Sequence, residues 1–156
     1  MKDQQENNSH FLNFSNPNNP YRVDSGDNTT ITLIIDLLTS ENYVIWSLAM
    51  RWALRARNKL GFINGTLIRL ASSEDPLFNA CDRCNDMVGT WIQNSISAIV
   101  KSSVAFVENA QDIWDELRDH FTQQNGPRIF QLKMSLASLQ QEQDPVNIYY
   151  GKLKTL

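Results

Sequence analysis

The sequence predicts an all-α fold: a single helical domain of about five to six helices, preceded by a flexible N-terminal arm. Apolar residues recur at helical spacing in separate stretches between residues 42 and 156. Residues that favour helix ends stand between these stretches. At 156 residues, 42% of them hydrophobic, the chain can bury one ordinary core. The helical domain is therefore expected over residues 29–156.

The N-terminal part of the chain is polar. Residues 1–28 are rich in Asn, Ser, Asp and Pro, which is typical of a disordered or loosely docked arm. The first helix is expected over about Asn42–Lys59, with Thr39 or Ser40 as its N-cap and Gly61 ending it. Its buried face should consist of four residues at helical spacing: Tyr43, Trp46, Met50 and Leu54.

Two further helices are indicated in the middle of the chain. Glu74-Asp75-Pro76 places acids and a proline where a helix begins, and a break is expected near Ser95 or Ser97. The apolar face of this second helix comprises Val88, Trp91, Ile92, Ile96 and Ile99. Asn109 is the expected N-cap of a third helix, with Asp112 in its first turn. The apolar face of the third helix comprises Ile113, Trp114, Leu117 and Phe121.

The segment Asn125-Gly126-Pro127 is interpreted as a helix stop joined to a helix start. Asn and Gly tolerate the left-handed conformation of a helix end, and Pro suits the first turn of a helix. A fourth helix is therefore expected from about Ile129, and Asp144-Pro145 should begin a fifth. The apolar stripe of the fifth helix reaches the last residue without a stop signal. That pattern predicts a fragment of a longer protein or a truncated product.

Composition and charge argue against several classes of protein. No apolar run approaches the roughly 20 residues that span a bilayer, and the polar first residues do not form a secretory signal. With only two cysteines, a reducing, cytoplasmic compartment is expected, with no membrane partner. The net charge of −3 argues against nucleic-acid binding by the whole chain.

The charge is nevertheless uneven along the sequence. Residues 41–70 hold five Arg and Lys against one Glu, and residues 71–125 hold three against nine acids. This asymmetry suits head-to-tail self-association at least as well as RNA binding.

The motifs that suggest chemistry are incomplete. Asp24-Ser25-Gly26 matches an aspartic-protease signature, but it lies in the polar arm without flanking apolar strands. Cys81 and Cys84 supply half of a zinc site, and no histidine has the matching spacing, so buried thiols are expected. His120 follows Glu116 by one helical turn, which indicates a local surface pair. We therefore expect no catalytic residue, cofactor, metal or small-molecule substrate.

A basic ridge on the first helix is the candidate RNA contact. Arg51, Arg55 and Lys59 follow one another at four-residue spacing, and Trp52 beside them could stack on a base. The alternative is a solvated helix face whose cations lie near the helix C-terminus, and the residues favour this plainer interpretation.

Five motifs in order resemble those of one family. Asn42–Met50 reads N-Y-x-x-W-S-x-x-M, and Ala53–Thr66 follows it. Cys84–Ser95, Asn125–Lys133 and Tyr149–Lys154 match later segments. Together, residues from about 19 to 156 resemble the N-terminal Gag polypeptide of plant copia-type LTR retrotransposons. The residues chosen as family motif or core are Tyr43, Trp46, Met50, Trp91, Trp114, Gly126, Pro127 and Phe130.

The resemblance implies a capsid-like, non-enzymatic structural protein that self-assembles into virus-like particles and packages element RNA. Its partners would be further copies of the chain and that RNA. The zinc knuckle by which such proteins bind RNA does not occur in these 156 residues. Two alternatives stay open: an RNA-binding module acting through the basic ridge, and a host-captured or decayed remnant that is an adaptor or inert.

Overall fold

A computed structural model describes residues 9–138. They form four α-helices: α1 (Tyr43–Ala56), α2 (Phe78–Asn94), α3 (Ala98–Lys101) and α4 (Ala110–Ser138). Short 3₁₀ turns occupy Ser9–Leu12, Leu60–Phe62 and Ser102–Val104. Between residues 9 and 138 there is no strand, and one isolated parallel bridge joins Leu38 to Ile96. The all-α prediction is confirmed, with fewer helices than expected.

The beginning of α1 differs from the expected cap. Asn42 occupies the N-cap position, in place of Thr39 or Ser40. Its side chain turns backwards: Oδ1 accepts a hydrogen bond from the Thr39 amide at 2.8 Å, and Nδ2 donates to the Leu37 carbonyl at 3.0 Å. Asn42 therefore fixes the chain that enters α1.

The end of α1 is set by Asn58, whose backbone is left-handed with φ 55°. The Asn58 amide donates to the Arg55 carbonyl at 3.0 Å, and the Lys59 amide donates to the Leu54 carbonyl at 2.8 Å. These two bonds form a Schellman motif, in which asparagine takes the place that glycine usually holds. The helix therefore ends before Asn58, and the expected end at Gly61 is wrong.

Hydrogen bonds join the break after α2 to the segment that precedes α1. Ser95 is buried, and its hydroxyl donates to the Trp91 carbonyl at 2.9 Å. The Leu38 amide donates to the Ser95 carbonyl at 2.9 Å, and the Ser97 amide donates to the Leu38 carbonyl at 3.0 Å. The predicted break near Ser95 is confirmed. Ile99, predicted to be buried, is exposed because it follows this break.

The beginning of α4 is capped twice. The Asn109 side chain accepts a bond from the amide two residues ahead at 3.1 Å, and Asp112 lies in the first turn, as predicted. Buried Asn85 of α2 adds a second cap: its Oδ1 accepts from the Ala110 amide at 2.9 Å, and its Nδ2 donates to the Glu108 carbonyl at 3.1 Å. The side-chain amide of Asn85 thus joins α2 to the start of α4.

Helix α4 continues through Asn125-Gly126-Pro127 to Ser138, so the predicted helix stop is wrong and the expected third and fourth helices are one. Pro127 lacks the amide hydrogen that would bond the Gln123 carbonyl, which removes one hydrogen bond. Phe130 is exposed and is not a core residue. The fifth predicted helix, from Asp144, lies outside the described residues.

The described chain divides into two compact units, with the boundary between Leu117 and Arg118. The first unit therefore contains α1, α2, α3 and the beginning of α4. Its largest buried side chains include Leu38, Trp46, Met50, Leu54, Leu77, Val88, Trp91, Ile92, Ile113 and Leu117. No helix in residues 9–138 has both the length and the apolar content needed to cross a membrane.

Residues 9–28 of the arm, which was expected to be disordered or loosely docked, pack on the rest of the first unit. Residues 1–8 lie outside the described part of the chain. Tyr21 is buried, and its ring contacts that of Phe62 edge-to-face at 5.9 Å. Asn19 donates to the Phe11 carbonyl at 2.6 Å and to the Asn13 carbonyl at 3.0 Å. Polar side chains here satisfy backbone groups, which allows a polar segment to order.

Candidate interaction surface on helix α1

Helix α1 is apolar on two opposite sides. Its inner face consists of Trp46, Met50 and Leu54, all at most 2% exposed. Its outer face carries four large apolar side chains: Val44 (70% exposed), Ile45 (77%), Leu48 (42%) and Trp52 (58%). A helix that is hydrophobic all round is ordinarily buried all round. The outer face is therefore the candidate interaction surface.

The inner face is fixed by packing and by a polar contact. The Trp46 indole donates through Nε1 to the Ser95 carbonyl at 2.8 Å. Its ring stacks on Trp114 with centroids 5.8 Å apart and an interplanar angle of 25°. Tyr43, at the start of the same helix, is half-buried. These contacts join α1 to the α2–α3 break and to the start of α4.

Arg57, just after α1, binds the end of the N-terminal arm. Its Nη1 donates to Asp27 Oδ1 at 2.7 Å and to the Gly26 carbonyl at 3.1 Å. The guanidinium also lies over the ring of buried Trp91, 5.3 Å from its centroid. The Trp91 indole donates to the Asn28 carbonyl at 2.9 Å. This arginine and Trp91 therefore have structural roles.

Lys59 does not belong to the exposed ridge. Its side chain is 1% exposed, and Nζ donates to the Arg22 carbonyl at 2.6 Å. The chain has left the helix at Asn58, so the four-residue spacing that placed Lys59 beside Arg55 no longer applies. The ridge predicted as an RNA contact is reduced to Arg51 and Arg55, and RNA binding by these two remains a prediction.

Charged residues flank the outer face. Arg51 and Arg55 are exposed on α1, and exposed Glu41 lies just before the helix. Within residues 9–138, none of the three takes part in an ion pair. Leu48 lies in the middle of α1 and Arg55 two helical turns after it, while Glu41 lies in the bend just before the N-cap Asn42. The surface therefore has an apolar centre, an acidic end and a basic end.

The remaining motifs are structural. Asp24 lies in a turn and pairs with Arg22 at 2.6 Å. Cys81 and Cys84 are buried, and burial raises the pKa of the Cys84 thiol to about 11. The Cys84 thiol donates to the Tyr21 carbonyl at 3.5 Å. Raised pKa values keep thiols protonated and unreactive.

The sequence interpretation missed Asn85, although a signal for it exists. Asn85 lies on the stripe formed with Cys81, Val88 and Ile92 along α2. A polar residue on an otherwise apolar stripe must bond inside the core. The sequence indicates the bond but not its partner, which lies at the start of another helix.

A comparison with protein families gives one match. Residues 25–69 match the family model described as Gag-polypeptide of LTR copia-type. The matched segment contains all of α1, with both its faces, and two of the five motifs. No curated protein and no solved structure matches the chain. The resemblance drawn from the motifs is confirmed for this segment.

Proposed function

We propose, from the copia-type Gag region that residues 25–69 form, that this chain assembles with further copies of itself into particles that package element RNA. A structural role of the Gag type follows from the family match. Particle assembly and RNA packaging are what the proposal adds. The protein would act in the cytoplasm, without a cofactor or a small-molecule substrate.

The observation that carries this proposal is the exposed outer face of α1. Four large apolar side chains lie on one helix, inside the segment that matches the family. Contiguous exposed apolar surface marks interaction sites in soluble proteins. The uneven distribution of charge along the chain supports contacts between copies, since basic and acidic surfaces attract one another.

The test is the assembly state of the purified full chain. Sedimentation velocity over a wide concentration range, with and without single-stranded RNA, should show oligomers that grow with concentration. Electron microscopy of the same samples should show particles. A chain that stays strictly monomeric under all these conditions contradicts the proposal and favours an adaptor or an inert remnant.

RNA binding by the folded domain itself is the second candidate. Exposed Trp52 lies between Arg51 and Arg55, which combines a stacking surface with two cations. Binding through two phosphates predicts a salt dependence with a slope of about −1.4 on logarithmic axes for single strands. Arg51→Glu with Arg55→Glu should abolish it. RNA affinity that is unchanged in this double variant rules the candidate out.

A further inference from the structure

We propose that the outer face of α1 pairs with the same face of a second copy, with the two helices antiparallel about a two-fold axis at Leu48. The inference rests on the proposed self-association and identifies the surface that carries it. A two-fold contact is the commonest arrangement of identical chains, and it requires a self-complementary surface.

The apolar part of the face is self-complementary in this arrangement. Residues equally far from Leu48 in opposite directions face each other, so Leu48 meets Leu48 and Val44 meets Trp52. The three residues are spaced four apart, and rows of this spacing form the ridges by which helices interlock. A large indole opposite a small valine on both sides of the axis fills the space between the helices evenly.

The charges select the antiparallel direction. Glu41 lies just before the N-terminal end of α1, and Arg55 lies in its last turn. An antiparallel pair therefore brings the acidic end of each helix to the basic end of the other, with Glu41 near Arg55, while a parallel pair would place like charges together. Both residues are exposed, and neither belongs to an ion pair within residues 9–138. The surface thus carries the complementary charges that such a dimer needs.

An RNA strand fits this surface less well than a second copy does. Val44, Ile45 and Leu48 offer no group that binds phosphate or a base edge. Glu41 at one end would repel the phosphate backbone. A helix of this length, about 21 Å, buries less than a standard interface of about 1,600 Å². The dimer should therefore be weak and reversible, as suits one of several contacts in a larger assembly.

The experiment compares sedimentation velocity of full-chain variants over a dilution series. Leu48→Asp should raise the concentration at which dimers form by at least about ten-fold, because it places two like charges on the axis. Glu41→Arg and Arg55→Glu should each weaken the dimer by about two- to ten-fold. The double variant should return to within about two-fold of the wild type, since it restores the ion pair in reverse. Ile99→Asp, at another exposed apolar position, is the matched control and should change nothing.

The outcomes separate this inference from the function on which it rests. If the wild type associates and Leu48→Asp does so equally well, the surface is wrong while self-association stands. If both single charge variants weaken the dimer and the double variant does not recover, the antiparallel register is wrong. If Arg55→Glu abolishes RNA binding and leaves association unchanged, the face serves RNA. A wild type that never leaves the monomer contradicts the proposed function itself. All substituted positions are exposed, and circular dichroism checks that each variant folds.

Discussion

The two faces of α1 carry similar side chains in opposite environments. Trp46 on the inner face is stacked on Trp114 and bonded to a backbone carbonyl of the α2–α3 break. Trp52, on the outer face of the same helix, is 58% exposed. Hydrophobicity alone does not separate them, since both faces are rich in large apolar residues. What separates them is a partner inside the unit, which the inner face has and the outer face lacks.

The largest expected effect comes from replacing one tryptophan on each face of α1. Trp46→Ala should lower the free energy of unfolding by about 3–5 kcal/mol, since it leaves a cavity beside Trp114 and removes one of the two hydrogen bonds that the Ser95 carbonyl accepts. Trp52→Ala, the matched control on the outer face, should change it by no more than about 0.5 kcal/mol in dilute monomer. Urea unfolding at low protein concentration measures both. Equal losses would show that the outer face also supports the monomer.

A second substitution tests the double cap at the beginning of α4. Asn85→Ala should lower the free energy of unfolding by about 1–3 kcal/mol, because it leaves the buried Ala110 amide without a partner and removes the bond to the Glu108 carbonyl. Asn94→Ala is the control: Asn94 is on the same helix and bonds the Thr29 carbonyl from a more exposed position. A loss for Asn85→Ala no larger than that of the control would contradict the double cap.

Alkaline pH tests the contact between α2 and the arm. Burial raises the pKa of Cys84 from 9.0 to about 11 and that of Tyr21 from 10.0 to about 12. The folded protein therefore keeps protons that the unfolded chain releases. The stability is full below about pH 9 and falls as the pH rises towards 11. The Cys84 part of this loss is about 2–3 kcal/mol.

The measurement is urea unfolding at pH 8, 9, 10 and 11 for the wild type and for Cys84→Ala. The variant should lose less stability than the wild type between pH 9 and 11, while the contribution of Tyr21 remains. Identical pH profiles would show that the thiol is not buried against the arm.

The smallest expected effect is on the stability of the C-terminal half of α4, which is exposed like the outer face of α1. A Cβ added at Gly126 would meet nothing within 4 Å, so Gly126→Ala should stabilise this helix by up to about 1 kcal/mol. Gly65→Ala is the contrasting control, because Gly65 has φ +80° and its Cβ would come 3.2 Å from the Gln111 side chain. Amide hydrogen exchange should slow in the first variant. Faster exchange in that variant would indicate that the helix does stop at Asn125-Gly126-Pro127, as the sequence predicts.

The sequence predicts what depends on local chemistry. Spacing along α1 identifies Trp46, Met50 and Leu54 as one buried face, and the Asn109 cap locates the start of α4. Both follow from residues within a few positions of each other. The same local reasoning predicts a break at Pro127, where the loss of one hydrogen bond does not end the helix.

Features that depend on contacts between distant residues cannot be predicted from local patterns in the sequence. Lys59 continues the four-residue spacing of Arg51 and Arg55, yet the left-handed Asn58 turns it towards the Arg22 carbonyl. The arm has the composition of a disordered segment, yet buried Tyr21 packs it against Phe62. In each case the deciding contact lies far away in sequence, so periodicity and composition carry no information about it.

The dependence of the melting temperature on protein concentration tests the central claim most directly. A native state that includes a dimer is stabilised by mass action, so the Tm of the wild type should rise steadily with concentration. The Tm of Leu48→Asp should begin to rise only at concentrations at least about ten-fold higher than for the wild type. The assignment of the outer face of α1 as the surface of self-association would be contradicted by a wild-type Tm that stays constant over a thousand-fold range of concentration. It would equally be contradicted by a Leu48→Asp Tm that rises over the same concentrations as that of the wild type.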